Sequence, residues 1–137
     1  MNIEYFGEIS SPNAIVIRSN YESEGIEFFS PLEFPQQLGY MKRPAGYEVA
    51  PHRHNQIDRK IEKTQEVLII RSGECVVTLF NDLNMPTDII DLYSGDIILL
   101  AQGGHGIKMK TECQIIEVKQ GPYLAELDKA AIEKSSN

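Results

Sequence analysis

The sequence predicts an all-β fold of the antiparallel sandwich or barrel type, and three observations carry that expectation. Short runs of β-branched and aromatic residues recur along all 137 residues, separated by turn residues, while only one stretch near the end has helical spacing. Within D-I-I-L-L at 96–100 the four residues after Asp96 are continuously apolar, which suits a strand covered on both faces. Hydrophobic residues make up 42% of the chain and charged residues 24%, a balance suited to one globular domain with a single core over residues 1–137.

In chain order, the predicted strands are Ile3–Ile9, Ala14–Arg18, Ile26–Phe29, Gln37–Lys42, Glu66–Arg71, Cys75–Phe80, Asp88–Leu92, Asp96–Leu100, Gly106–Lys110 and Cys113–Lys119. Residues 1–45 form the N-terminal strands, but Pro31, Pro35 and Pro44 make the stretch before residue 46 unsuited to a central strand. It is expected to cover the barrel or reach a neighbouring subunit. Ser72-Gly73 reads as a tight hairpin, because glycine supplies the permissive backbone that such a turn needs. Asn81 to Pro86 forms a looser turn, and Tyr93-Ser94-Gly95 turns into the apolar run. From Tyr123 to Lys134, apolar residues at 124, 127, 131 and 132 approximate helical spacing, with Lys129 and Lys134 late enough to favour the helix dipole. A short C-terminal helix is therefore expected, ending in a frayed Ser-Ser-Asn.

Charge excludes one class of partner. The formal charge of −7 argues against nucleic-acid binding, which needs many phosphate-neutralising cations. No apolar run approaches the length of a membrane span, and the start M-N-I-E-Y-F lacks the basic and apolar regions of a signal peptide, so a cytoplasmic location is the expectation. Cys75 and Cys113 stand 38 positions apart without C-x-x-C spacing and read as small core hydrophobes.

The chain has three histidines, and all fall in two segments, G-Y-E-V-A-P-H-R-H and G-D-I-I-L-L-A-Q-G-G-H. In an extended strand successive side chains alternate faces, so His52 and His54 share one face while Arg53 points away. Two imidazoles so placed make a chelate. With His105 and the carboxylate of Glu66 they form a donor set suited to a divalent transition metal (Zn, Fe, Mn, Ni or Cu). Gln65 and Gln56 are alternative oxygen donors, and three imidazoles plus one carboxylate leave positions open on a six-coordinate ion.

These residues give the chain a resemblance to the cupins over about 46–118. The first cupin motif, G-x5-H-x-H-x(3,4)-E-x6-G, is matched by Gly46, His52 and His54, then by Glu66 and Gly73. Eleven residues, Asn55 to Gln65, stand where the motif has three or four. The second motif, G-x5-P-x-G-x2-H-x3-N, is matched by Gly95 and Gly103. His105 arrives one residue early, Ala101 replaces the proline and Met109 stands in the place of the asparagine. The stretch I-I-E-V-K-Q-G-P-Y is similar to that of small stand-alone cupins of bacterial polysaccharide gene clusters. The resemblance implies a cupin-type antiparallel β-barrel (a double-stranded β-helix or jelly roll) with metal at His52, His54, Glu66 and His105. It further implies a metal-dependent protein acting on a sugar or nucleotide sugar, as an isomerase or epimerase or as an oxygenase. A non-catalytic ligand-binding or sensor module is the alternative.

Between Lys42 and Arg71 seven basic residues face four acidic ones, a local surplus of three that leaves the rest of the chain at −10. Arg59, Lys60 and Lys63 in the 55–65 insertion are thus candidate contacts for a small anionic ligand, the alternative being a solvated mixed-charge loop. Small barrels leave edges that need covering, and symmetric pairs are the commonest oligomer, so a homodimer is expected.

Overall fold

The computed structural model describes residues 2–124 and 127–133. Its ten strands are β1 (Ile3–Glu8), β2 (Ser11–Ile17), β3 (Gly25–Phe28), β4 (Gly39–Lys42), β5 (Glu66–Ser72), β6 (Cys75–Phe80), β7 (Pro86–Leu92), β8 (Ile97–Leu100), β9 (Gly104–Met109) and β10 (Gln114–Lys119). Every pairing is antiparallel. The strands form a five-stranded sheet in the order β1-β2-β8-β5-β10, a three-stranded sheet β7-β6-β9 and the hairpin β3-β4. Among the described residues these are three separate sheets, not a barrel closed by hydrogen bonds.

Strand alternation builds the core. Ala14 and Val16 of β2, Leu68 and Ile70 of β5, and Ile98 and Leu100 of β8 point to one side, where they meet Cys75, Val77 and Leu79 of β6 and Ile90 and Leu92 of β7. The residues between them, Ile15, Ile17 and Leu99, point to the other side and are covered by Phe29 and Leu38, with Tyr21, Phe34 and Tyr40 packed around them. The large sheet is therefore buried on both faces. This explains why its central strand β8, flanked by β2 and β5, is apolar at every position. The proline-bearing stretch before residue 46 supplies the second cover, as one of the two sequence expectations had it.

Two expectations need correction. Ser72-Gly73 is not a hairpin, because β5 pairs with β8 and β10 while β6 pairs with β7 and β9, so the turn carries the chain from one sheet to the other. Gly73 has φ 87°, and a methyl group there would collide with the Glu112 carbonyl. The second concerns residues 123–134. The described residues in this stretch form no helix beyond one turn, in which the Leu127 amide donates to the Leu124 carbonyl at 3.0 Å. Ala125, Glu126 and Lys134 lie outside the described residues. The apolar spacing reflects a different use of Ile132, whose side chain packs against Gly104. No helix is long and apolar enough to cross a membrane among the described residues.

The sandwich is pinned at one end by a buried carboxylate. Asp96, 2% exposed, accepts hydrogen bonds from the Ser19 and Tyr93 amides, each at 2.9 Å, and from Arg18 Nη1 at 2.9 Å. Arg18 also pairs with Glu4 and donates to the Asp91 carbonyl at 2.7 Å. A buried charge survives folding only with its lone pairs used, and here they are.

Candidate functional site

The opposite end of the sandwich holds the candidate site, and strand register puts it there. Glu66 opens β5 opposite Leu100 at the end of β8 and Lys119 at the end of β10. Because Leu68 and Ile70 point into the core, Glu66 lies on that same inner face. His105, near the start of β9, is paired with buried Leu79 and so faces inward from the smaller sheet. The two side chains meet where the sheets open at this end, His105 32% and Glu66 13% exposed, with His105 Nε2 3.5 Å from Glu66 Oε2. That separation is at the long limit of a hydrogen bond, and the two groups carry opposite charges only when the imidazole is protonated. The imidazole beside it holds the Glu66 carboxyl below its ordinary pKa, against burial, which pushes it up.

The pair lines an open cavity of about 1180 Å³. Its other polar lining includes Lys63, Thr64, Gln102, Asp82, Glu117, Asp128 and Lys129, with Phe80, Leu68 and Ile107 among the apolar lining. Lys63 Nζ donates to Gln102 Oε1 at 3.2 Å, which fixes one rim. Counting Glu62, the lining carries five carboxylates, two lysines and His105.

The other predicted residues are placed differently. His52 and His54 lie on residues 43–65, which contain no strand, and both are exposed. Strand parity therefore does not act on them, a correction whose cause is visible in the sequence: Pro44 and Pro51 withhold ladder donors, and polar and charged side chains keep residues 43–64 exposed throughout. Their rings nevertheless stay together, with centroids 5.2 Å apart, and His52 Nδ1 lies 2.8 Å from the Ala50 carbonyl oxygen. Among the described residues no three His, Cys, Asp or Glu side chains gather as a metal-holding group. Of the basic cluster, Lys63 lines the cavity, whereas Arg59 and Lys60 are exposed away from its lining and Lys60 pairs with Glu62 at 2.9 Å.

Gln65, an alternative oxygen donor, is buried, accepts from the Gln36 amide at 3.2 Å and gives its own amide to Gln120, so it serves the fold. Gln56 is exposed on the loop. Cys75 is buried as expected, and Cys113 packs against the same core cluster. Burial, with the Cys113 thiol adjacent, raises the Cys75 pKa.

Glu117 lines the cavity as well, because β10 pairs with β5 and sets Glu117 opposite buried Leu68, and it stays 3.9 Å from Lys119 Nζ on the same strand face. The signal for this was the alternation Ile115, Glu117, Lys119, which becomes decisive once the partner strand is known. Asp128 and Lys129 were missed for want of any such signal, since they follow the last strand. Compared with known proteins, the chain matches no family model, no curated protein and no solved structure.

Proposed function

We propose that the chain is a cupin-type protein that binds a small polar anionic molecule, of the sugar or nucleotide-sugar class, at a divalent metal ion anchored by Glu66 and His105. The observation that carries this reading is the inward-facing carboxylate and imidazole brought together from two sheets at the floor of a large cavity. The pair fits an ion as it stands. Ligand atoms about 2.1 Å from one metal centre subtend about 113° when they are 3.5 Å apart, close to a tetrahedral angle. His52 and His54 do not fit as they stand, and they complete the set only when residues 43–65 close on the pair. When bound, such an ion supplies Lewis-acid polarisation of a ligand oxygen.

The chain's own residues set what the cavity accepts. Glu117 and Asp128 offer acceptors to hydroxyl groups, and Gln102 offers both a donor and an acceptor. Lys63 and Lys129 are the cationic points for a phosphate or carboxylate, but five carboxylates outnumber them. An anionic group therefore binds well only when the ion offsets part of that negative charge. The hairpin β3-β4 presents Ile26, Phe28 and Met41 on one exposed face, which supports pairing of two copies.

The test is metal content after dialysis of the metal-free protein against each candidate ion. The reading predicts about one ion per chain for the wild type, with loss of at least tenfold in affinity for Glu66→Gln and for His105→Asn. Wild-type binding that both variants retain unchanged would remove it.

A further inference from the structure

We infer that residues 127–133, which follow β10, form a strap across the mouth of the cavity, latched at two points and released to admit a ligand. The first latch is Ile132. Among residues 127–133 it is the one that is half-buried, and its side chain sits so close over Gly104 that a methyl group added there would collide with it. The same methyl group would lie 3.2 Å from Phe80 Cβ, so Ile132 is seated over the space left by a missing side chain, beside Phe80. Gly104 immediately precedes His105.

The second latch is Asp128, whose carboxylate accepts a hydrogen bond from the Thr64 hydroxyl. Thr64 stands two residues before Glu66. The strap is thus tied beside each member of the Glu66–His105 pair. Between the ties, Lys129, Ala130 and Ala131 line the cavity.

Little else holds this segment. Among the described residues its only main-chain hydrogen bond outside regular elements is local, from Leu127 to Leu124, and Leu127 is 86% exposed. Segments with few buried apolar contacts and no ladder bonds open at low cost, and access lids are drawn from that class. The two alanines keep the span narrow, while Lys129 brings a cation over the cavity when the strap is down.

The inference shares with the proposed function only the location of the cavity, and its test uses metal-free full-length protein without ligand. Diethyl pyrocarbonate acylates accessible neutral imidazoles, and mass spectrometry of peptides follows each histidine separately. His105 has 32% of its side chain exposed, while His52 and His54 on the exposed loop serve as internal references. Ile132→Asp and Asp128→Ala should each raise the rate at His105 about twofold to threefold, the gain open to a side chain already 32% exposed when the strap is down. The rates at His52 and His54 should stay unchanged, and Ile132→Leu should behave as wild type. An unchanged rate at His105 in both unlatched variants would overturn the strap. So would a large fall in the unfolding midpoint of either one, because the segment would then be part of the folded core. Neither result would touch the metal reading, which metal content tests independently.

Discussion

Replacing Asp96 by alanine should cost about 3 kcal/mol of folding stability. The carboxylate, 2% exposed, accepts from the Ser19 and Tyr93 amides and from Arg18. Alanine takes the acceptor from both amides, whose hydrogen bonds are part-buried, at about 1–3 kcal/mol each. Arg18 is not orphaned, since Glu4 and the Asp91 carbonyl still hold it, so the loss belongs at the lower end of the 3–5 kcal/mol range for breaking a buried ion pair. Asparagine keeps one acceptor and should cost about 2 kcal/mol. Urea denaturation at neutral pH measures both, provided the slope with denaturant is unchanged. Because Asp96 precedes β8 and Glu66 pairs with Leu100 at that strand's far end, folded Asp96→Ala protein should bind metal as the wild type does. A stability loss below about 1 kcal/mol would refute the view that this carboxylate pins the sheets.

Gly73→Ala should destabilise by about 2 kcal/mol or more, since alanine at φ 87° is strained and its methyl group meets the Glu112 carbonyl; thermal unfolding checks this. The Glu66 carboxyl, with its folded pKa lowered by His105, contributes stability that is present above the ordinary carboxylate range and is lost as pH falls through the lower folded value. In metal-free protein the stability difference between wild type and His105→Gln should therefore shrink as pH falls through that acid window, as read by denaturant titration at a series of pH values; a difference independent of pH there contradicts the pairing. Lys63→Ala should weaken binding of inorganic phosphate to the metal-loaded protein several-fold, whereas Arg59→Ala and Lys60→Ala should not, because Lys63 alone of the three lines the cavity; calorimetric titration decides.

The strands were legible because apolar alternation is local. All ten expected strands overlap those observed, and the unbroken apolar run at 97–100 announced a strand buried on both faces. Pairing was less legible. Ser72-Gly73 has hairpin chemistry, yet the contacts that decide its role come from residues 112 and 113, distant in sequence. Glu66 and His105 were singled out separately and meet because register on two different sheets turns both inward. The placement of His52 and His54 was not legible, since a His-x-His pair carries strand geometry only where the backbone has a ladder to join, and residues 43–65 contain no strand. The stretch after β10 misled for a related reason: spacing alone does not separate an amphipathic helix from an irregular strap whose one seated apolar residue packs into a glycine notch.

The most direct test of the central claim is X-ray absorption spectroscopy on the protein loaded with one equivalent of zinc. The account predicts a nitrogen and oxygen sphere at about 2.0–2.1 Å with the multiple-scattering signature of three imidazoles, falling to one in His52→Ala/His54→Ala. A wild-type sphere with a single imidazole would confine the ion to Glu66 and His105 and remove the other two histidines from the site. A sphere with none would contradict the account at its base.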